Sequence, residues 1–232
     1  MRLLEAAQRP RPNRRKAAYF TDAELARLWP ELGTVLPAAV FHYLCKAAVT
    51  TGARQGELLA LEWPDVRFLD KELRIARGYT PGVGIETPKD NEERTVDLTP
   101  AAETVLQDWF QLSGCPEDGL VFPNFDGGYL VGSTVTRGIL YPAMERAGIP
   151  RVGERGWKRD FHSFRHSFAR IALEHGAEMT WVQRQLGHSS ITVTIDRYGH
   201  WERRAEKVQA ARLEGAFPIA EAAPVRHSVR AQ

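Results

Sequence analysis

Apolar residues recur at helical spacing over most of the chain and alternate with polar ones over one short stretch, which predicts an α+β, mainly α domain. Thr21-Asp22-Ala23-Glu24 reads as a capping box, with Leu25, Leu28 and Trp29 forming the apolar face that follows. Residues 37–49 read as a core helix through Val40, Phe41, Leu44, Ala47 and Ala48. Gly52 ends it, and a short helix from Gln55 carries Arg54 and Glu57 at its start and Leu58, Leu59 and Leu61 toward the core. Residues 66–68, 73–76 and 94–98 alternate between the turn-rich stretches DK, GYTPGVG and KDNEE, and so predict a small three-stranded antiparallel sheet. Thr99-Pro100 opens a helix to about residue 112. Residues 113–132 read as loop with an extended piece at 120–122, and a further helix runs from Ser133 to about residue 147.

The next pattern is chemical as well as apolar. Residues 161–200, FHSFRHSFARIALEHGAEMTWVQRQLGHSSITVTIDRYGH, place Phe164, Phe168, Ile171 and Ala172 on one helical stripe, with His162 and Arg165 together near the first turn. A helix start with unpaired N–H groups and a guanidinium suits an anion. A phosphate held there, beside the tyrosine of DRYGH, suggests phosphoryl transfer through a covalent phosphotyrosine at Tyr198. Each residue also has an ordinary reading. Arg54 could simply pair with Glu57, and Arg165 could be a surface charge. His188 could only close a helix after Gly187, and His162 with His166 is an i, i+4 pair more often structural than metal-binding.

Composition narrows the picture slightly. The chain has 232 residues, 43% hydrophobic and 26% charged, with no apolar run of membrane-spanning length and no apolar leader at its start. Two cysteines, Cys45 and Cys115, make no disulfide framework, so reduced thiols in a cytoplasmic protein are expected. The net charge of +2 neither demands nor excludes nucleic acid, while only six of the 31 basic residues are lysine. Arginine is the better fork for phosphate oxygens.

TGARQGELLALEWPDVRF, TPK…RTVDL, HSFRHSFA, LGHSS and TVTIDRYGH together resemble the successive signatures of the tyrosine recombinase (phage integrase) family, in its order, over about residues 20–200. The resemblance implies a helical catalytic domain with a three-stranded sheet, acting on double-stranded DNA. It implies strand cleavage and rejoining through a 3′-phosphotyrosyl link, with no metal, ATP or other cofactor. Arg54 resembles the first catalytic arginine and Glu57 the supporting acid. Lys89 resembles the lysine between the second and third strands, His162 and Arg165 the H-x-x-R box, His188 the next histidine and Tyr198 the nucleophile. Asp90, Glu92 and Glu93 surround Lys89 and would favour its charged form.

The domain expectation is therefore an arm or linker over residues 1–20, a catalytic domain over 21–200, and a charged helix over 201–213 followed by a disordered tail. The family's N-terminal DNA-clamping domain is not among these residues, so weak DNA affinity, a monomer without DNA and a tetrameric assembly of the full-length protein on DNA are expected. Three rival readings are a phosphodiesterase with metal on His162, His166, His188 and His200, a DNA-binding relative without strand exchange, and a type IB topoisomerase. The compact LGH box and short sheet favour the recombinase.

Overall fold

The computed structural model describes residues 18–33, 37–87, 93–153 and 156–211, with side chains of the last helix through Trp201. Lys89, the arm before residue 18 and the tail after residue 211 lie outside the described residues.

Helix α1 (Asp22–Leu28) starts as its sequence dictates: Thr21 Oγ1 accepts from Glu24 N at 3.2 Å, and Glu24 Oε2 accepts from Thr21 N at 2.9 Å. A single 3₁₀ turn, Trp29–Leu32, leads on to α2 (Ala39–Thr51), whose buried face holds Val40, Phe41, Leu44, Ala47 and Ala48. Gly52 caps α2 at φ +70°, where a Cβ would lie 2.5 Å from Phe168. Helix α3 (Gln55–Leu59) follows at once.

Strands β1 (Val66–Arg67), β2 (Glu72–Ile75) and β5 (Arg94–Asp97) form the expected antiparallel sheet in the order β1-β2-β5, with Leu73 opposite both Val66 and Val96. Between β2 and β5 the structure adds a hairpin of β3 (Gly78–Thr80) and β4 (Gly84–Glu86), in a stretch whose turn residues had suggested loop. Pro81 and Gly82 close it, Gly82 at φ +84°, the geometry of a Pro-Gly reverse turn. Only Tyr79 and Ile85 mark the alternation. Tyr79 is anchored by stacking on Tyr129 at 4.4 Å, and its carbonyl approaches so near Gly56 that a Cβ there would lie at 2.9 Å.

Thr99 caps α4 (Pro100–Leu112) through Ala102 N. A helical run then comprises α5 (Gly132–Thr134), a π-helical stretch Val135–Leu140, and α6 (Tyr141–Arg146). Helices α7 (His162–Glu174) and α8 (Met179–Leu186) precede α9 (Ile191–Ala211). The charged helix expected over residues 201–213 instead begins at Ile191 and includes Tyr198. Ile191, Thr192, Val193, Thr194 and Ile195, with Gly199, are poor helix formers, so packing of Tyr198 and Trp201 against α7 and α8 overrides propensity.

Among the described residues two apolar clusters result. The larger joins α1, α2, α4, the sheet and the 132–146 run; the smaller gathers Phe168, Leu173, Val182, Leu186, Tyr198 and Trp201. Helix α7 belongs to both, with Phe164 in one and Phe168 in the other, while Ile171 and Ala172 are half-buried. Its first turn is held where the two clusters meet. No helix of the described residues is long and apolar enough to cross a membrane.

Candidate active site

Arg54 is the N-cap of α3, extended at φ −71°, and Glu57 at the third helical position reaches back to it. Glu57 Oε2 accepts from Arg54 N at 2.7 Å and Oε1 from Arg54 Nη1 at 2.8 Å. The ion pair open to sequence reading therefore exists, and the same carboxylate also receives a second arginine. Arg94, first residue of β5, donates Nη1 to Oε1 at 2.8 Å and Nη2 to Oε2 at 2.7 Å. Burial pushes the Glu57 carboxyl upward, but Arg94's hydrogen bonds and charge, then Arg54 and Arg165, outweigh it and hold the group down to about 2.

Arg165 is 2% exposed on the first turn of α7. Its Nη1 donates to Gly52 O at 2.7 Å, and its Nη2 donates to Leu186 O. Those carbonyls end α2 and α8, so the guanidinium lies on the negative ends of two helix dipoles. Burial first, then Arg54's charge, lower its pKa without deprotonating it at neutral pH. Arg54 Nη2 donates to Gly187 O at 2.9 Å. Thus both arginines of the sequence motifs are fixed by adjacent carbonyls at the C-terminus of α8. Gly187, at φ +59°, makes this possible, since a Cβ there would lie 2.6 Å from Arg94 Nε. The LGH motif thereby acquires a physical reason.

His188 follows that cap. Its Nδ1 meets Thr194 Oγ1 at 2.9 Å, and its ring lies nearly parallel to Tyr198's, 6.2 Å away. Tyr198, on α9, is wholly buried, and its phenol oxygen lies 2.6 Å from His166 Nδ1. Burial raises the phenol's pKa, while Arg165 and Arg197 act to lower it. Burial, followed by neighbouring positive groups, lowers His162 to about 4, His188 to about 3 and His166 to about 2, so all three rings are neutral at pH 7. A neutral His166 can accept the phenol's proton at Nδ1 as a hydrogen bond.

The structure brings together Arg54, Glu57, His162, Arg165, His188 and Tyr198; Lys89 lies outside the described residues, in the β4–β5 connection. Of the acids flanking Lys89, Glu93 is engaged by Arg74, whose Nη2 lies 2.7 Å from Oε1. Sequence reasoning missed Arg94 and treated His166 only as half of a possible metal pair. Arg94 had a signal: it precedes buried Val96 by two residues, which puts an arginine on the inward face of a strand. His200 is exposed and packs against Trp201, 4.3 Å between rings. Among the described residues no group of three or more His, Cys, Asp or Glu converges to hold a metal ion.

The comparisons with known proteins give the family and the fold. The model of the Phage integrase family matches residues 20–204, and the chain belongs to that family. It is 28% identical over 205 residues to the tyrosine recombinase XerC-like protein of Caldanaerobacter subterraneus subsp. tengcongensis, covering 78% of this chain and 50% of that protein. It is 30% identical over 181 residues to tyrosine recombinase XerC of Xanthomonas axonopodis pv. citri, covering 78% and 53%. The chain therefore spans about half the length of these relatives. In fold it resembles the Tn1549 transposon integrase solved in complex with circular intermediate DNA, with TM-score 0.65 and 18% identity over 84% of this chain and 67% of that one.

Proposed function

We propose that this chain is the catalytic domain of a site-specific DNA recombinase that breaks and rejoins strands through a 3′-phosphotyrosyl intermediate on Tyr198, without metal or ATP. One observation carries the reading: two guanidiniums, Arg54 and Arg165, are fixed on successive carbonyls of one helix end beside a tyrosine and three neutral histidines. The relatives are named tyrosine recombinases and the structural neighbour is an integrase in complex with DNA, which supports it.

The chemistry follows from these groups. Attack of Tyr198 Oη on phosphorus builds negative charge on the non-bridging oxygens, which the two guanidiniums stabilise with charge-assisted hydrogen bonds. Arg165 Nε is buried with no hydrogen-bond partner among the described residues, a donor left for such an oxygen. His162 is the proposed base: neutral at pH 7, it has the higher proton affinity of the two histidines on α7, while His166 orients the phenol. His188, held by Thr194, donates to the phosphate. Lys89 protonates the departing 5′-oxygen. The phosphotyrosine keeps the energy of the broken ester, so a 5′-hydroxyl from another strand can reverse the attack. Double-stranded DNA is the proposed partner, with the full-length protein assembling as a tetramer on it and the free chain a monomer.

The test is strand joining in EDTA without nucleotide, on nicked duplexes carrying the site that the wild-type chain enriches from a randomised duplex pool. Joined product is expected in EDTA. Joining that appears only with added divalent metal would overturn the reading.

A further inference from the structure

We propose that Arg94 is a positioning residue for the reaction, fixing the phosphate-binding geometry of Arg54 through Glu57. The proposal rests on the recombinase reading above for its catalytic consequence, but its structural basis is independent of it. Glu57 is 5% exposed and carries four hydrogen bonds: the backbone N–H and Nη1 of Arg54, and both terminal nitrogens of Arg94. An arginine–carboxylate fork of this kind fixes the carboxylate's plane as well as its charge. Arg54 spends one N–H of Nη1 on Glu57 and one of Nη2 on Gly187 O, and its remaining N–H groups are left for a substrate, so its aim depends on where those two acceptors are held. The plane set by Arg94 determines where Oε1 and Oε2 lie, and hence the angle at which Arg54 leaves its N-cap.

Arg94 also touches the second support of Arg54. Its Nε and guanidinium carbon lie under Gly187, where a Cβ would come within 2.6 and 2.9 Å of them. Gly187 supplies the carbonyl that binds Arg54 Nη2, and its neighbour Leu186 the one that binds Arg165. One side chain from the sheet therefore braces both anchors of Arg54, the carboxylate on α3 and the turn after α8. The side chain is 15% exposed, its terminal nitrogens bind Glu57 and its Nε packs under Gly187, so its effect on the reaction is carried by that carboxylate and that turn. Without it, a buried Glu57 would retain a single arginine, and the burial that favours its neutral acid would be less opposed.

The experiment compares wild type, Arg94→Gln, Arg94→Lys, Arg54→Ala and Arg54→Ala/Arg94→Gln in two measurements. The first needs no DNA: carbon-13 NMR of the Glu57 carboxyl from pH 7 downward. Wild type should stay ionised to about 2, whereas Arg94→Gln should titrate at visibly higher pH. An unchanged Glu57 titration would overturn the proposal. The second is the rate of covalent adduct formation on nicked duplex, with an ordinary scissile phosphate or a neutral methylphosphonate. Arg94→Gln should slow the phosphate reaction on the order of a hundredfold, as misplacement of a catalytic group does. Arg94→Lys should recover part of that loss, and the double variant should be no slower than Arg54→Ala. The methylphosphonate, having one fewer developing charge, should largely erase the Arg94→Gln defect. Equal slowing on both substrates, or additive losses in the double variant, would show a merely structural role and overturn the proposal. If wild type forms no adduct at all, the recombinase reading fails, while the carboxyl titration still decides whether Arg94 governs Glu57.

Discussion

The two halves of the site are held by different forces. The arginine half is ionic: Arg54, Glu57, Arg94 and Arg165 are fixed by charge-assisted hydrogen bonds and by the carbonyl ends of α2 and α8. The tyrosine half is mainly apolar: Tyr198 lies in the smaller cluster, stacked on Trp201 at 5.6 Å, with Trp201 meeting Tyr19 edge-on at 5.3 Å, and its phenol oxygen meets His166. On the proposed reading, the groups that would face a phosphate are preorganised as charges. The group that would attack it is stored as a protonated phenol among rings.

The contrast can be broken most completely at Tyr198. Tyr198→Phe should abolish the covalent adduct on a denaturing gel, yet shift stability by only about 1 kcal/mol for the lost hydrogen bond, because the ring still packs. Arg165→Met should do the opposite in kind. Adduct formation should fall by about a hundred- to a thousandfold or more, as for removal of one transition-state donor. The orphaned carbonyls of Gly52 and Leu186 should also each cost about 1–3 kcal/mol in urea unfolding. A loss of activity without loss of stability would show that Arg165 is not built into the fold.

Lys89, outside the described residues, gives the next test. Lys89→Ala should cut cleavage strongly, and a 5′-thiol leaving group, which departs without protonation, should restore most of the rate. Failure of that rescue would remove Lys89 from the acid role.

The pH dependence of stability tests the buried histidines. His162, His166 and His188 have folded pKa values depressed from 6.5 to about 4, 2 and 3, so the unfolded chain binds more protons below pH 6.5. Their contribution is complete above that pH and is lost as pH falls toward about 4 and below. Glu57, depressed from 4.5 to about 2, adds loss in the lower part of the same window. The Tm should therefore decline from pH 7 to pH 4, and His166→Asn should flatten the decline; an unchanged slope would show that His166 is not buried neutral.

Much of this was legible in the sequence, for reasons that differ by residue. The capping box at Thr21, the glycine ends at Gly52 and Gly187, and the alternation of the three sheet strands are local signals, and the structure shows each. Of the residues the family motifs marked, the fold brings together Arg54, Glu57, His162, Arg165, His188 and Tyr198, while Lys89 lies outside the described residues. What was not legible is long-range. Arg94 and Glu57 are 37 residues apart, and nothing local in either says that they meet. The β3–β4 hairpin has one cross-strand pair of large residues and otherwise turn formers. The start of α9 is β-branched, and only Tyr198 and Trp201 packing against α7 and α8 makes it helical. The tether of Tyr198 to His166 spans 32 residues and exists only because α7 and α9 pack together.

The central claim is that Tyr198 becomes covalently joined to DNA. Its most direct measurement is mass spectrometry of the nucleotide-bearing peptide recovered after the wild-type chain is trapped on a nicked duplex carrying its selected site, in EDTA. The account predicts a 3′-phosphonucleotide on Tyr198 and none from Tyr198→Phe. An adduct on another residue, or strand joining that leaves no protein-linked DNA, would contradict it.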